Sequence, residues 1–278
     1  MQFMIERKIS LKDHKQEVTQ VFDRIASKTS WEQLYLGKVD RMNYNFASRQ
    51  RAVEELLRPY TSGKALDIGC GSGDLVVFYA DKGVDYTGVD LSSSMIERAN
   101  LNYAELVKEG KAVFRVADCE KLPFNNGEFD LLSAVALLEY LPDPSGALDE
   151  IKRVVKTGGY VLITVPNKKC INNFFRAILK PITDLFFPLY VKIKKSPLAL
   201  MRNVKHYSYS QKEIDLIMQD KGFHKIDFRY TNFYIILHPL DHIIPKTYIK
   251  LSEKIDNNKL GKIYNKWAAN YIAIYKKY

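Results

Sequence analysis

Cysteine is scarce. Cys70, Cys119 and Cys170 are the only three in 278 residues, too few and too odd in number for a disulfide framework. Long apolar runs are lacking as well. No stretch reaches about 18 uncharged apolar residues, so a membrane-spanning helix is not expected. The opening residues include Glu6, Arg7 and Lys8 where an export signal needs an apolar core. Together with the odd thiols, this gives the expectation of a reducing, cytoplasmic setting. No repeat or low-complexity tract is visible. With hydrophobic residues at 46% and charged ones at 27%, the chain has ample material for a core, which excludes disorder, collagen and coiled coil as its main architecture.

What the chain has in excess is positive charge, unevenly placed. The formal net charge is +10. Residues 1–167 carry 21 basic and 24 acidic residues, net −3, whereas residues 168–278 carry 21 and 8, net +13. The rear segment also holds 18 of the 34 aromatic residues. Such a surface suits nucleic acid, an anionic membrane or an acidic substrate, and equally a lysine-rich face over an aromatic core.

The hydrophobic spacing divides the chain. Residues 1–60 read as an N-terminal helical cap, with Val18, Val21, Phe22 and Ile25 on one helix face and Ala52, Val53, Leu56 and Leu57 on another. From residue 61 to 167, short apolar runs alternate with helical stretches. Strands are expected at 65–69, 85–90, 112–116, 129–134 and 160–165, with Lys156-Thr157-Gly158-Gly159 as a turn before the last. Ser94 with Glu97 has the spacing of a capping box opening a helix, and so does Ser210 with Glu213. Strands separated by helices form βαβ units, hence an α/β chain with a parallel sheet covered on both faces. Residues 168–205, broken by prolines, read as a helical lid insertion. Residues 206–278 read as the rest of the sheet, with strands at 223–230 and 271–275 around a second insertion. A single domain accommodates all of this.

The sharpest motif is Leu66-Asp67-Ile68-Gly69-Cys70-Gly71-Ser72-Gly73, a buried strand running into a glycine-rich turn. Glycines allow the sharp turn and let a ligand lie against bare main chain. The spacing is not that of a phosphate loop, which disfavours an ATPase. Asp90, followed by Leu91, ends the second strand 17 residues after Gly73, where a carboxylate can accept both ribose hydroxyls of an adenosine. Asp118 and Cys119 follow the third strand on the same rim, and Asp118 could accept a hydrogen bond from an adenine amino group.

Over residues 49–165 this set resembles the class I S-adenosylmethionine-dependent methyltransferases. The resemblance rests on the glycine motif, Gly88-Val89-Asp90-Leu91-Ser92, Ala117–Phe124, Phe129–Ala134 and Val155–Tyr160. It implies a Rossmann-like three-layer sandwich, with a seven-stranded, mostly parallel sheet that ends in an antiparallel hairpin. S-Adenosylmethionine is then the cofactor and S-adenosylhomocysteine the product. Gly69, Gly71 and Gly73 would lie along its methionine part, which Asp67 would orient. Asp90 would hold the ribose beside Leu91, Asp118 and Cys119 would flank the adenine, and Val135 would lie below. Arg49, 20 residues before Gly69, has the spacing of an arginine that reaches the cofactor carboxylate in ubiquinone-type O-methyltransferases.

Glu139 and His206 are the expected catalytic residues, as general bases for a hydroxyl acceptor, with Tyr140 and Tyr207 behind them. Those O-methyltransferases carry metal ligands at the positions of Ala136, Glu139 and Tyr140. One of three survives here, so no metal is expected. The stretch after the fourth strand lacks the Pro-Pro pair of adenine and cytosine N-methyltransferases, which disfavours DNA. The expected reaction is methyl transfer to an oxygen or nitrogen of a small or lipid-like acceptor. A tRNA acceptor bound by the basic rear, and a non-catalytic cofactor-binding protein, are the alternatives. The amphipathic, lysine-flanked stretch 171–195 adds the expectation of a peripheral membrane contact, or of a lid over an apolar acceptor.

Overall fold

A computed structural model describes residues 11–28, 43–175, 177–178, 204–234, 244–257 and 263–278. The expected strands are present, and the last three are longer than the apolar runs suggest: β1 (Lys64–Ile68), β2 (Asp85–Asp90), β3 (Ala112–Val116), β4 (Phe129–Ala134), β5 (Val155–Pro166), β6 (Phe223–Phe233) and β7 (Ala268–Lys277). They form one sheet in the order β3-β2-β1-β4-β5-β7-β6. The first five run parallel, and β7 pairs antiparallel with both β5 and β6. The Rossmann-like fold with its antiparallel end is as expected.

Helices cover both faces. α1 (Leu11–Lys28) and α2 (Tyr44–Leu57) precede the sheet, and α3 (Val76–Ala80), α4 (Ser93–Asn102), α5 (Ala104–Lys108) and α6 (Ser145–Val154) lie between its parallel strands. α7 (Gln211–Asp220) and α8 (Pro245–Asn257) belong to the rear segment. α6 shows why they dock. Its Ala147, Leu148, Ile151 and Val154 fall on one stripe, and all four are buried in the cluster that also takes Leu132 and Val161 from the sheet. On the opposite face Val53, Leu57, Val76 and Tyr79 pack over Ala65, Leu131 and Leu162. Tyr271–Tyr275 is buried throughout, as a strand covered on both faces must be.

Three local expectations change. The cap of α4 is Ser92, not Ser94. Ser92 is extended (φ −78°, ψ 113°) and its hydroxyl accepts the Met95 amide, whereas Ser94 already lies inside the helix. Lys156–Gly159 is part of β5 rather than a turn. The register with β4 shifts between Phe129 and Leu131, and Gly158 at φ +80° fits such a bulge. The stretch 232–267 is less of an insertion than expected, since β6 runs to Phe233 and α8 packs against β6 and α2. Asn45 on α2 ties these parts together, its side-chain oxygen accepting from Asn232 at 2.9 Å and Asn270 at 2.7 Å. Ser210 and Glu213 do form the capping box that opens α7. Most of the expected lid, residues 179–203, lies outside the described residues.

Candidate functional site at the carboxyl edge of the sheet

β1 leads into Gly69. The Gly69 and Cys70 amides both donate to the Val89 carbonyl, at 2.7 and 3.0 Å, which folds the loop across the end of β2. Gly71 then takes φ +53°, a left-handed conformation that is costly for any residue with a side chain. A Cβ placed there would meet nothing within 4 Å, so bare main chain faces open space. Its N–H donates to Asp90 Oδ2 at 3.0 Å, while Ser92 N–H donates to Oδ1 at 2.9 Å. Two amides thus fix the Asp90 carboxylate at the end of β2, and each oxygen retains a lone pair. Burial raises the Asp90 carboxyl above its usual range, against the pull of those amides. Leu91 beside it is partly exposed.

Asp67 sits one layer deeper. It is buried, accepting from Ser133 Oγ at 2.6 Å and Tyr86 hydroxyl at 3.0 Å, and burial pushes its carboxyl up to about 7. Its carboxylate therefore braces β1 against β2 and β4. Beyond β3, both Asp118 oxygens are taken by the Lys15 ammonium of α1, at 2.9 and 2.7 Å. Cys119 next to it is half-buried, which pushes its thiol up to about 12. Neither Cys70, whose buried thiol is likewise raised, nor Cys119 has the low pKa of a reactive thiol.

After β4 the backbone is strained. Val135 is half-buried, and Ala136 adopts φ +53°, uncommon for a residue with a side chain. Its N–H donates to Thr164 Oγ1 on β5 at 2.8 Å, which holds the kink. Leu137 packs against Gly69, and the chain turns through Leu138–Tyr140. That turn places Glu139 inside the molecule, 7% exposed, and no described residue donates a hydrogen bond to its carboxylate. Burial pushes the Glu139 carboxyl up to about 6, opposed by the positive charge of Arg49. Arg49, buried on α2, stacks its guanidinium over Phe46 at 5.3 Å.

Residues 205–209 run against the same turn. Tyr207 N–H donates to the Glu139 carbonyl at 2.8 Å, and the ring of exposed His206 lies 5.0 Å from that of Tyr140. The structure thus brings Arg49, Glu139, Tyr140, His206 and Tyr207 to one side of the glycine loop, with Asp90, Asp118 and Cys119 on the other. Sequence reasoning missed the polar face of α1. His14 is buried with Nε2 3.0 Å from the Tyr140 carbonyl, so that nitrogen carries the proton, since a carbonyl only accepts. A signal existed: His14 precedes Val18, Val21, Phe22 and Ile25 on the apolar stripe.

Comparison with known proteins agrees with this geometry. Residues 66–163 match the profile of a methyltransferase domain family. This segment is similar to methyltransferase domains. Among curated proteins the chain is 36% identical over 111 residues to a sterol 4-C-methyltransferase of Caenorhabditis elegans, covering 40% of this chain and 33% of that one. It is 32% identical over 117 residues to a ubiquinone biosynthesis O-methyltransferase of Alkalilimnicola ehrlichii, covering 42% and 47%. The chain thus spans less than half the length of these relatives. Among solved structures, a magnesium protoporphyrin IX methyltransferase of Synechocystis with bound S-adenosylhomocysteine superposes with TM-score 0.62 at 16% identity, covering 96% of this chain and 100% of that one.

The residues present fit S-adenosylmethionine, the cofactor that the resemblance implies. The side of Gly71 where a Cβ would stand is open, and the Asp90 carboxylate, held by two amides, keeps lone pairs on both oxygens. Among the described residues no group of three or more His, Cys, Asp or Glu is arranged to hold a metal, and no helix is long and apolar enough to cross a membrane.

Proposed function

We propose that this protein transfers a methyl group from S-adenosylmethionine to an oxygen or nitrogen of a small or lipid-like acceptor by in-line displacement. The observation that carries this reading is a buried carboxyl, Glu139, without a hydrogen-bonding partner among the described residues, one strand away from a glycine loop bonded to Asp90. Relatives named for sterol and ubiquinone chemistry support the acceptor class, as does a structural neighbour, at TM-score 0.53, that holds geranyl diphosphate.

Bound, the cofactor supplies a methyl on a sulfonium, which already has a good leaving group. The protein's part is alignment, desolvation and proton removal. Gly69, Gly71 and Gly73 offer main chain to the methionine portion. Asp90 accepts from the ribose hydroxyls, Leu91 covers that edge, Asp118 and Cys119 line the adenine side, and Val135 lies beneath. Asp67 acts from behind by fixing the strand ends. Arg49 serves the site as a positive charge beside Glu139. With a pKa near 6, Glu139 is ionised at neutral pH yet basic enough to take the acceptor's proton. His206 stands at the mouth as the outer candidate. Three free cysteines support a reducing, cytoplasmic setting. Exposed Phe174 (63%) and Ile178 (57%) in the basic rear segment support a peripheral contact with a lipid surface.

Methyl-tritiated S-adenosylmethionine, incubated with the protein together with cellular lipid extract and bulk tRNA, tests this reading. Label should partition into the organic phase. Label confined to acid-precipitable RNA would replace the acceptor class.

A further inference from the structure

α1 precedes the parallel strands and adds nothing to the sheet, yet its polar side chains reach the loops that flank the nucleoside site. Lys15 Nζ bonds both oxygens of Asp118, at 2.9 and 2.7 Å, and Glu120 Oε2 at 2.5 Å. About two turns further on, Asp23 Oδ1 accepts from Ser92 Oγ at 2.5 Å and from Ser94 N–H at 3.4 Å. One helix thus bridges the loop after β3 to the loop after β2, and Asp90 lies at the end of β2 between them.

The two ends of α1 are held differently. Ile25 and Ala26 are buried in a small apolar cluster with Phe46 and Met95, and Arg98 donates to the Ala26 carbonyl at 2.8 Å. Among the described residues, the first turns make no such cluster. They are held by His14 on the Tyr140 carbonyl and by the Lys15 ion pairs, whose side chains are 28% (Lys15), 34% (Asp118) and 38% (Glu120) exposed. Burial works against the Lys15 ammonium, but the two carboxylates more than offset it and raise its pKa, so the charge persists at neutral pH. Ion pairs this exposed are weakened by salt, whereas the apolar end is not.

We propose that the first turns of α1 form an ionic latch over the nucleoside site, and that Lys15 is its positioning residue. Closed, the latch fixes the Asp118 carboxylate and retains the cofactor. Opened, with the helix pivoting on Ile25 and Ala26, it lets the cofactor exchange. The inference rests on the cofactor reading above and adds what governs exit from that site.

The test is the release rate of tritiated S-adenosylmethionine, chased with unlabelled cofactor and read by rapid filtration. Raising salt from about 50 to about 500 mM should speed release from the unmodified protein roughly fivefold. Lys15→Met should release roughly fivefold faster at low salt and respond little to more, and Lys15→Arg should restore slow, salt-sensitive release. Release from the unmodified protein that ignores salt would overturn the latch. So would a folded Lys15→Met variant with the original rate and salt response. Should Lys15→Met fail to fold, the salt series and Lys15→Arg still decide. Calorimetry separates the two readings: no cofactor binding by the unmodified protein sinks the site itself, while normal binding with a salt-indifferent rate sinks the latch alone.

Discussion

The two sides of the carboxyl edge are built on different plans. On the proposed nucleoside side, Gly71, Asp90 and Ser92 come from adjacent strand ends and are joined by main-chain amides donating to the Asp90 carboxylate. On the proposed acceptor side, Arg49, Glu139 and Tyr207 come from three distant segments, and among the described residues the buried Glu139 carboxyl is compensated only by opposing charge. The first side is fixed before any ligand arrives. The second carries a destabilised group, which is where a chain shows its own chemistry.

The largest effect expected from breaking this contrast is catalytic. Glu139→Gln should lower kcat by about a hundredfold or more and leave calorimetric cofactor affinity unchanged, since only the proton acceptor is lost. A variant of normal speed would remove Glu139 from the mechanism. The unmodified enzyme should gain kcat as pH rises through about 6, where that carboxyl ionises.

Asp90→Ala strikes the other side. It should weaken cofactor binding by about 2 kcal/mol, the cost of a lost charge-assisted pair of hydrogen bonds. Unchanged affinity would reassign the ribose contact.

Smaller effects concern stability. Because folding raises the Glu139 carboxyl from 4.5 to about 6, its contribution to stability is fully present below about pH 4.5 and is lost as pH rises through 6. Glu139→Gln should therefore match the unmodified protein in denaturant unfolding at pH 4 and exceed it by about 1 to 2 kcal/mol at pH 8. Equal stability at both pH values would mean that Glu139 is not strained. Ala136→Gly should add roughly 0.5 to 1 kcal/mol by relieving a left-handed alanine, as read from a shift in Tm.

The same contrast explains what was legible in the sequence. The positions of the parallel strands along the chain, the glycine loop and Asp90 follow from short-range patterns, with turn residues and strand ends close together in the chain. Asp67 was recognisable as belonging to the motif, but its bonds to Tyr86 and Ser133 depend on strand neighbours that local pattern does not reveal. The α4 cap went to Ser92 because backbone conformation, not the Ser-x-x-Glu spacing alone, decides which serine can accept the helix amide. Lys15 could not be tied to Asp118 from sequence, since their pairing spans 103 residues. Glu139 could be singled out, but its burial and the approach of Arg49 arise only from packing α2 beside the turn after β4.

A crystal structure with S-adenosylhomocysteine bound examines the central claim most directly. The account predicts both ribose hydroxyls within hydrogen-bond distance of the Asp90 carboxylate, the homocysteine lying over Gly71, and the thioether sulfur facing the Glu139 side. A nucleoside seated elsewhere, with Gly71 still bare, would contradict it.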